Sequence, residues 1–164
     1  MMQCLKVYLL LGSNMGNREA VLERAVQELI ERLLPDYLEV ASLNEAVNTS
    51  RIHETEPWGF ESEQKFLNQA FCCITGLTPH QVLEVCLQVE AELGRRRTGE
   101  QFNAKGERIY ASRVIDIDIL MIDRLEGDKW VPLEINTPDL IVPHPRLYER
   151  EFALKPLREL RRGV

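Results

Sequence analysis

At 164 residues the chain is long enough to bury one sizeable core and too short for two. Its 45% hydrophobic and 28% charged residues are the balance of a globular protein, which excludes a disordered or fibrous chain. A net charge of −6 excludes broad adhesion to nucleic acid or to an acidic membrane surface, because the long-range field has the wrong sign.

No apolar run approaches the ~18 to 20 residues that span a bilayer, and the first residues carry no small-residue cleavage pattern. Cys4, Cys72, Cys73 and Cys86 lack metal-ligand spacing and fit a reduced, cytoplasmic compartment. Residues 4–11 are apolar apart from Lys6 and stop at Gly12-Ser13-Asn14, so the chain opens with a buried strand and a turn. The segment from Gly12 to Asn17 has the glycines of a phosphate loop but neither its lysine nor its spacing. From Ala20 to Leu34, apolar residues recur at helical spacing, with Asn17 as N-cap and Pro35 as the stop. Residues 38–49 alternate loosely, as in a half-exposed strand, and Arg51–Gln64, with Pro57 and Gly59, reads as a loop.

Phe66–Thr75 resumes a strand pattern. Thr78-Pro79-His80-Gln81 is a capping box with proline at the first helical position, and Gly94 is expected to end that helix in the left-handed conformation. Residues 95–112 have no apolar periodicity, and a connection of that length in a small domain is usually functional. The strongest strand follows at 114–122, with Ile115, Ile117, Ile119 and Met121 expected on one face and Asp116 and Asp118 on the other, beside Val114, Leu120 and Ile122. The remainder, through Val142-Pro143-His144-Pro145 to a helical segment near 151–160, reads as a covering C-terminal extension. The order β-α-β-β-α-β predicts an α+β fold with a ferredoxin-like core in residues 1–164, one domain, with a small doubly wound α/β fold as the alternative.

The aspartate pair carries the sharpest chemistry. Residues two apart on a strand project the same way, roughly 6 to 7 Å apart, so Asp116 and Asp118 offer two carboxylates to one site. Solvated surface charges would be the plain alternative, but a strand this rich in isoleucine should be central, where two unpaired carboxylates are costly and a divalent cation relieves them. Between Gly94 and Arg113 stand six basic residues and two acids, a local charge of +4, so that the rest of the chain carries −10. Arginines beside a metal-binding pair suit phosphate transfer, and Arg113 is tied to that pair by its place three residues before Asp116. His53 and His80 read as surface residues; His144, fixed between two prolines, is a candidate for phosphate or a ring edge. Trp58 and Tyr110 lie in loops where a ring more often meets a ligand.

Taken in order, Leu11-Gly12-Ser13-Asn14, Glu54-Thr55-Glu56-Pro57-Trp58-Gly59, Phe66-Leu67-Asn68, Glu90 to Arg97, Ser112-Arg113-Val114-Ile115-Asp116-Ile117-Asp118-Ile119-Leu120 and Val142-Pro143-His144-Pro145 with Arg150 and Phe152 resemble the 6-hydroxymethyl-7,8-dihydropterin pyrophosphokinases. The resemblance runs over nearly the whole chain, and R-x-x-D-x-D followed by VPHP is its most specific part. It implies transfer of the β,γ-pyrophosphoryl group of ATP to the hydroxymethyl group of a reduced pterin, with AMP released, on a three-layer α/β/α fold with a ferredoxin-like core. It also implies that Asp116 and Asp118 hold two Mg2+ ions, and that Arg95 and Arg113 are catalytic arginines of a loop that closes on the phosphates. Glu90, Arg97, Ile119, His144 and Arg150 then fall on the ATP side, and Thr55, Glu56, Trp58, Phe66, Asn68 and Phe152 around the pterin. Tyr110, Ser112 and the length of 98–109 depart from the family's common pattern. The expected partners are ATP and the pterin, with no nucleic acid and no membrane, and the expected state is a monomer. A metal-dependent phosphodiesterase or D-x-D glycosyltransferase would use the same carboxylates without a pterin pocket. A ferredoxin-like nucleic-acid or regulatory module would instead need exposed aromatics flanked by bases, which the acidic sheet face does not offer.

Overall fold

The computed structural model describes residues 4–34, 46–55, 65–94 and 114–164. Strand β1 (Leu5–Ser13) is buried along its length apart from Lys6, because its neighbours cover it on both edges. It pairs antiparallel with β4 (Phe66–Thr75) on one side and with β5 (Asp116–Glu126) on the other. Gly12 and Ser13, expected in the turn, are its last ladder residues. The outer edge of β4 takes two short strands in turn, β2 (Val47–Thr49) and β3 (His53–Thr55). Strand β6 (Lys129–Pro132) folds back on the far end of β5 through Gly127, whose φ of 64° suits a residue without a side chain. The order across the sheet is β2-β4-β1-β5-β6, with β3 beside β4. A two-stranded ladder of β7 (Ile135–Asn136) and β8 (Ile141–Val142) and a 3-10 turn at Leu147–Glu149 lead into the last helix.

Local chemistry sets the two helices that join the strands. In α1 (Arg18–Leu33) the Asn17 side chain accepts from the Ala20 N–H at 3.2 Å, satisfying one of the donors a helix start leaves open. In α2 (Pro79–Gly94) the predicted box is reciprocal: the Gln81 N–H donates to Thr78 Oγ1 at 3.2 Å and the Thr78 N–H to Gln81 Oε1 at 2.9 Å. Replacing Thr78 with alanine is expected to lower stability by about 1 kcal/mol in urea unfolding, with a loss below about 0.3 kcal/mol showing the cap to be idle.

Both faces of the sheet are covered. Leu5, Val7, Leu9 and Leu11 of β1 meet Leu22, Ala25 and Leu29 of α1 and Val82, Cys86 and Val89 of α2. The alternate residues Tyr8 and Leu10 meet Leu147 and, on α3 (Glu151–Leu160), Ala153, Leu154 and Leu157. The side chains of β1 thus reach two cores, each fully buried leucine contributing about 1.5 to 3 kcal/mol.

Three expectations need correction. Arg51–Gln64 is not all loop, since His53–Thr55 forms β3; residues 56–64 lie outside the described part, as do 38–45 of the strand expected at 38–49, of which Val47–Thr49 is observed. Gly94 is the last helical residue and does not take a left-handed φ. The strict alternation expected over 114–122 also breaks. Leu9 is opposite Ile119 but Tyr8 is opposite Met121, so Leu120 is an extra residue, a β-bulge. Beyond it the faces exchange: Met121 joins the α3 core and Ile122 the α1/α2 core.

Candidate active site

One transverse row of the sheet places the site. Strand register sets His53 opposite Asn68, Asn68 opposite Gly12, and Gly12 opposite Asp116, across β3, β4, β1 and β5. The next row on the same face is Ala70, Leu10 and Asp118. Because opposed residues in an antiparallel ladder project to the same side, and Leu10 packs toward α3, the carboxylates of Asp116 and Asp118 share the α3 face. The bulge at Leu120 comes after them, so their two-residue spacing is undisturbed.

Around this row the side chains fall into two groups. Asn68 is 4% exposed and donates from Nδ2 to Thr55 Oγ1 at 2.8 Å, which fixes its amide and leaves Oδ1 on the Gly12 side. Phe66 stands beside it. At the start of α3, Arg150 Nη1 lies 4.0 Å from Asp118 Oδ2, and its guanidinium sits 5.6 Å from the centre of the Phe152 ring, a cation–π distance. The backbone of the extension follows β5 here: the His144 N–H donates to the Leu120 carbonyl at 2.9 Å, after a cis Val142–Pro143 bond.

His144 Nδ1 accepts from the Arg146 N–H at 3.2 Å, which leaves Nε2 to carry the proton of the neutral ring. Burial holds its pKa below the ordinary 6.5, helped by Arg150 and Arg146 and opposed by Asp116. The unfolded chain therefore binds more protons on this ring than the fold does, and stability should rise with pH until the ring is neutral in both states. Replacing His144 with glutamine is expected to flatten the loss of stability on acidification below about pH 6.5; an unchanged stability profile between pH 5 and 7 would refute this.

Of the residues expected at the site, the structure brings together Asp116, Asp118, His144, Arg150 and Phe152, and sets Thr55, Phe66 and Asn68 on the adjoining strands of the same sheet. Glu90 is on α2, which covers the opposite face of the sheet from α3; burial pushes the thiol of Cys86, one turn earlier on that helix, up to about 12, and the charges of Glu90 and Asp118 both add to it. Ile119 buries its side chain in the α1/α2 core, on the opposite face from Asp116 and Asp118, so its contribution to a site is confined to its backbone. Glu56, Trp58, Arg95, Arg97, Arg113 and Tyr110 lie outside the described residues.

Two features escaped the reading of the sequence. His53 is no simple surface residue: its Nε2 meets Glu159 Oε2, while Glu159 Oε1 accepts from the Arg51 N–H at 3.0 Å, so α3 fastens the strand that carries Thr55. The partners are 106 residues apart, and no local pattern announces them. The other is the place of Gly12, read as part of a turn and of the family motif: it sits in the ladder and keeps the row between Asn68 and Asp116 without a side chain.

Among the described residues no cluster of three or more metal-ligating side chains occurs. Two carboxylates on one strand face fit a hard cation that takes its remaining oxygens from water and from a phosphorylated substrate, the usual coordination of magnesium.

Residues 8–162 match the family described as 7,8-dihydro-6-hydroxymethylpterin-pyrophosphokinase. The chain is 39% identical over 153 residues to the 2-amino-4-hydroxy-6-hydroxymethyldihydropteridine pyrophosphokinase of Bacillus subtilis, spanning 93% of this chain and 76% of that protein. It is 39% identical over 155 residues to the enzyme of the same name from Methylorubrum extorquens, spanning 94% and 82%. A solved HPPK-DHPS structure in complex with substrates superposes with a TM-score of 0.51 at 15% identity, over 96% of this chain and 40% of that one, a likeness of fold.

Proposed function

The chain belongs to the 7,8-dihydro-6-hydroxymethylpterin-pyrophosphokinase family, whose reaction moves the β,γ-pyrophosphoryl group of ATP to hydroxymethyldihydropterin in folate biosynthesis, and on that premise we propose how its residues divide the work. The observation that carries the proposal is the shared row, which sets Asn68 and Asp116 two strands apart on one face with Gly12 between them.

Asn68 reads the flat, hydrogen-bonding pterin through an amide that Thr55 holds in place, while Phe66 and Phe152 cover the ring and Glu56 and Trp58 wall the pocket. Asp116 and Asp118 would hold the two Mg2+ ions. When bound, Mg2+ neutralises charge on the phosphates of ATP. Arg95 and Arg113 are the catalytic arginines at the transferring group; Glu90, Arg97, His144, Arg150 and the backbone of Ile119 take the remainder of ATP. A neutral His144 donates from Nε2 without adding a further cation beside Arg150. Asp116, in the row of Asn68, is the carboxylate placed to orient the attacking hydroxyl and to draw off its proton.

The core that carries these residues is ferredoxin-like, two interlocked βαβ units in a three-layer α/β/α arrangement. Its support is the antiparallel order β2-β4-β1-β5, with α1 and α2 on one face and α3 on the other. The chain works as one domain and as a monomer, and the burial of Cys72, Cys73 and Cys86 as thiols suits the reducing cytoplasm.

Incubation of the protein with magnesium-ATP and the reduced pterin alcohol should give AMP and a pterin diphosphate in equal amounts. Formation of ADP would mean transfer of a single phosphoryl group, and formation of AMP without a pterin product would mean hydrolysis; either overturns the proposal.

A further inference from the structure

Gly12 is a glycine that the backbone does not require. Its φ lies outside the left-handed region, unlike those of Gly16, Gly127 and Gly163, and strand β1 would accept an L-residue there. What the position lacks is room: a Cβ on Gly12 would stand 3.2 Å from Asn68 Oδ1, with Phe66 Cδ1 at 3.9 Å and the Leu67 carbonyl at 4.0 Å behind it. Asn68 cannot easily yield, because its amide is buried and its Nδ2 is committed to Thr55 Oγ1.

Register adds the second observation. Neighbouring strands are about 4.8 Å apart, so Asn68 and Asp116, on either side of Gly12, stand roughly 10 Å from each other, and the straight path between them crosses the Gly12 Cα. A substrate held at its ring by Asn68, with its attacking hydroxyl oriented by Asp116, must lay its hydroxymethyl arm across that point. We infer that Gly12 is a positioning and specificity residue: the gap left by its missing side chain is the track for the hydroxymethyl arm, and it lets the Asn68 amide keep the orientation that reads the pterin. This rests on the division of roles proposed above.

The test uses the intact protein, the reduced pterin alcohol and a non-transferable ATP analogue. Gly12→Ala should weaken pterin binding by about tenfold or more in Kd, while the Kd of the ATP analogue with magnesium changes by less than about twofold. In an Asn68→Ala background, adding Gly12→Ala should cost less than it does alone, because the amide it displaces is already gone and only the obstructed track remains. A second measurement needs no variant: in the wild-type ternary complex the hydroxymethyl protons should show NOEs to the Gly12 Hα pair. Wild-type pterin affinity in Gly12→Ala, full additivity with Asn68→Ala, or a bound pterin whose arm shows NOEs elsewhere would each overturn the inference. Failure of the wild-type protein to bind the pterin at all would overturn the proposed roles themselves, a result distinct from these.

Discussion

Replacing Asp118 with asparagine is expected to slow AMP formation about a thousandfold while leaving the fold intact, and Asp116→Asn should do the same. The substitution is nearly isosteric, and both residues are partly exposed on a strand face, so it opens no cavity and strands no buried charge. What it removes is half of the negative charge that the pair presents. Asp118 is also the carboxylate facing Arg150 at 4.0 Å, and its loss leaves that guanidinium over Phe152 with a weaker counter-charge. Titration with Mn2+ separates the effects: both variants should bind the ion at least about tenfold more weakly, since a carboxylate ligand contributes both charge and an oxygen that an amide matches poorly. Activity within about tenfold of wild type, with Mn2+ binding unchanged, would remove these aspartates from the metal site.

The Asp pair was legible because it needs nothing beyond the two-residue period of a strand, and β5 keeps that period through Asp118. β4 was legible at both ends, Phe66 and Thr75, for a similar reason: a run of β-favouring residues bounded by turn chemistry. The caps at Asn17 and Thr78 are also short-range, each written within four residues. Past Leu120 the reading failed, because a bulge in an all-apolar run leaves no trace in the pattern; Met121 and Ile122 are interchangeable to a hydrophobicity argument and face opposite cores in the structure. Strand β3 was hidden by its length of three residues and the nearby Pro57 and Gly59. The row from His53 through Asn68 and Gly12 to Asp116 is a matter of register between strands far apart in the chain. Before the register was known, resemblance to a family could place Asn68 near the aspartates and periodicity could not.

The other large effect concerns stability, and it starts from the length of α3. From Arg150 to Arg161 the helix advances about 16 Å at 1.5 Å per residue, and from Asp118 to Asp123 β5 advances about 16 Å at 3.3 Å per residue, so each end of α3 has an acid of β5 to meet. The two ends differ in burial. Arg150 and Asp118 remain in contact with water, whereas the side chains of Asp123 and Arg161 are 5% and 16% exposed and joined by two hydrogen bonds, Nη2 to Oδ1 at 3.2 Å and Nε to Oδ2 at 3.3 Å. Arg161 also lies 5.8 Å from the centre of the Tyr8 ring. Breaking such a pair from one side leaves a carboxylate buried without compensation, so Arg161→Met is expected to lower stability by about 3 to 5 kcal/mol. At about 3 °C per kcal/mol for a domain of this size, Tm should fall by about 9 to 15 °C. Removing the acid as well should restore much of the loss: Asp123→Leu combined with Arg161→Met swaps the pair for packed apolar groups beside Leu157 and should unfold within about 2 kcal/mol of wild type. If the single and double variants lose the same amount, what fixes the end of α3 is its packing on Tyr8 and Met121, not the ion pair.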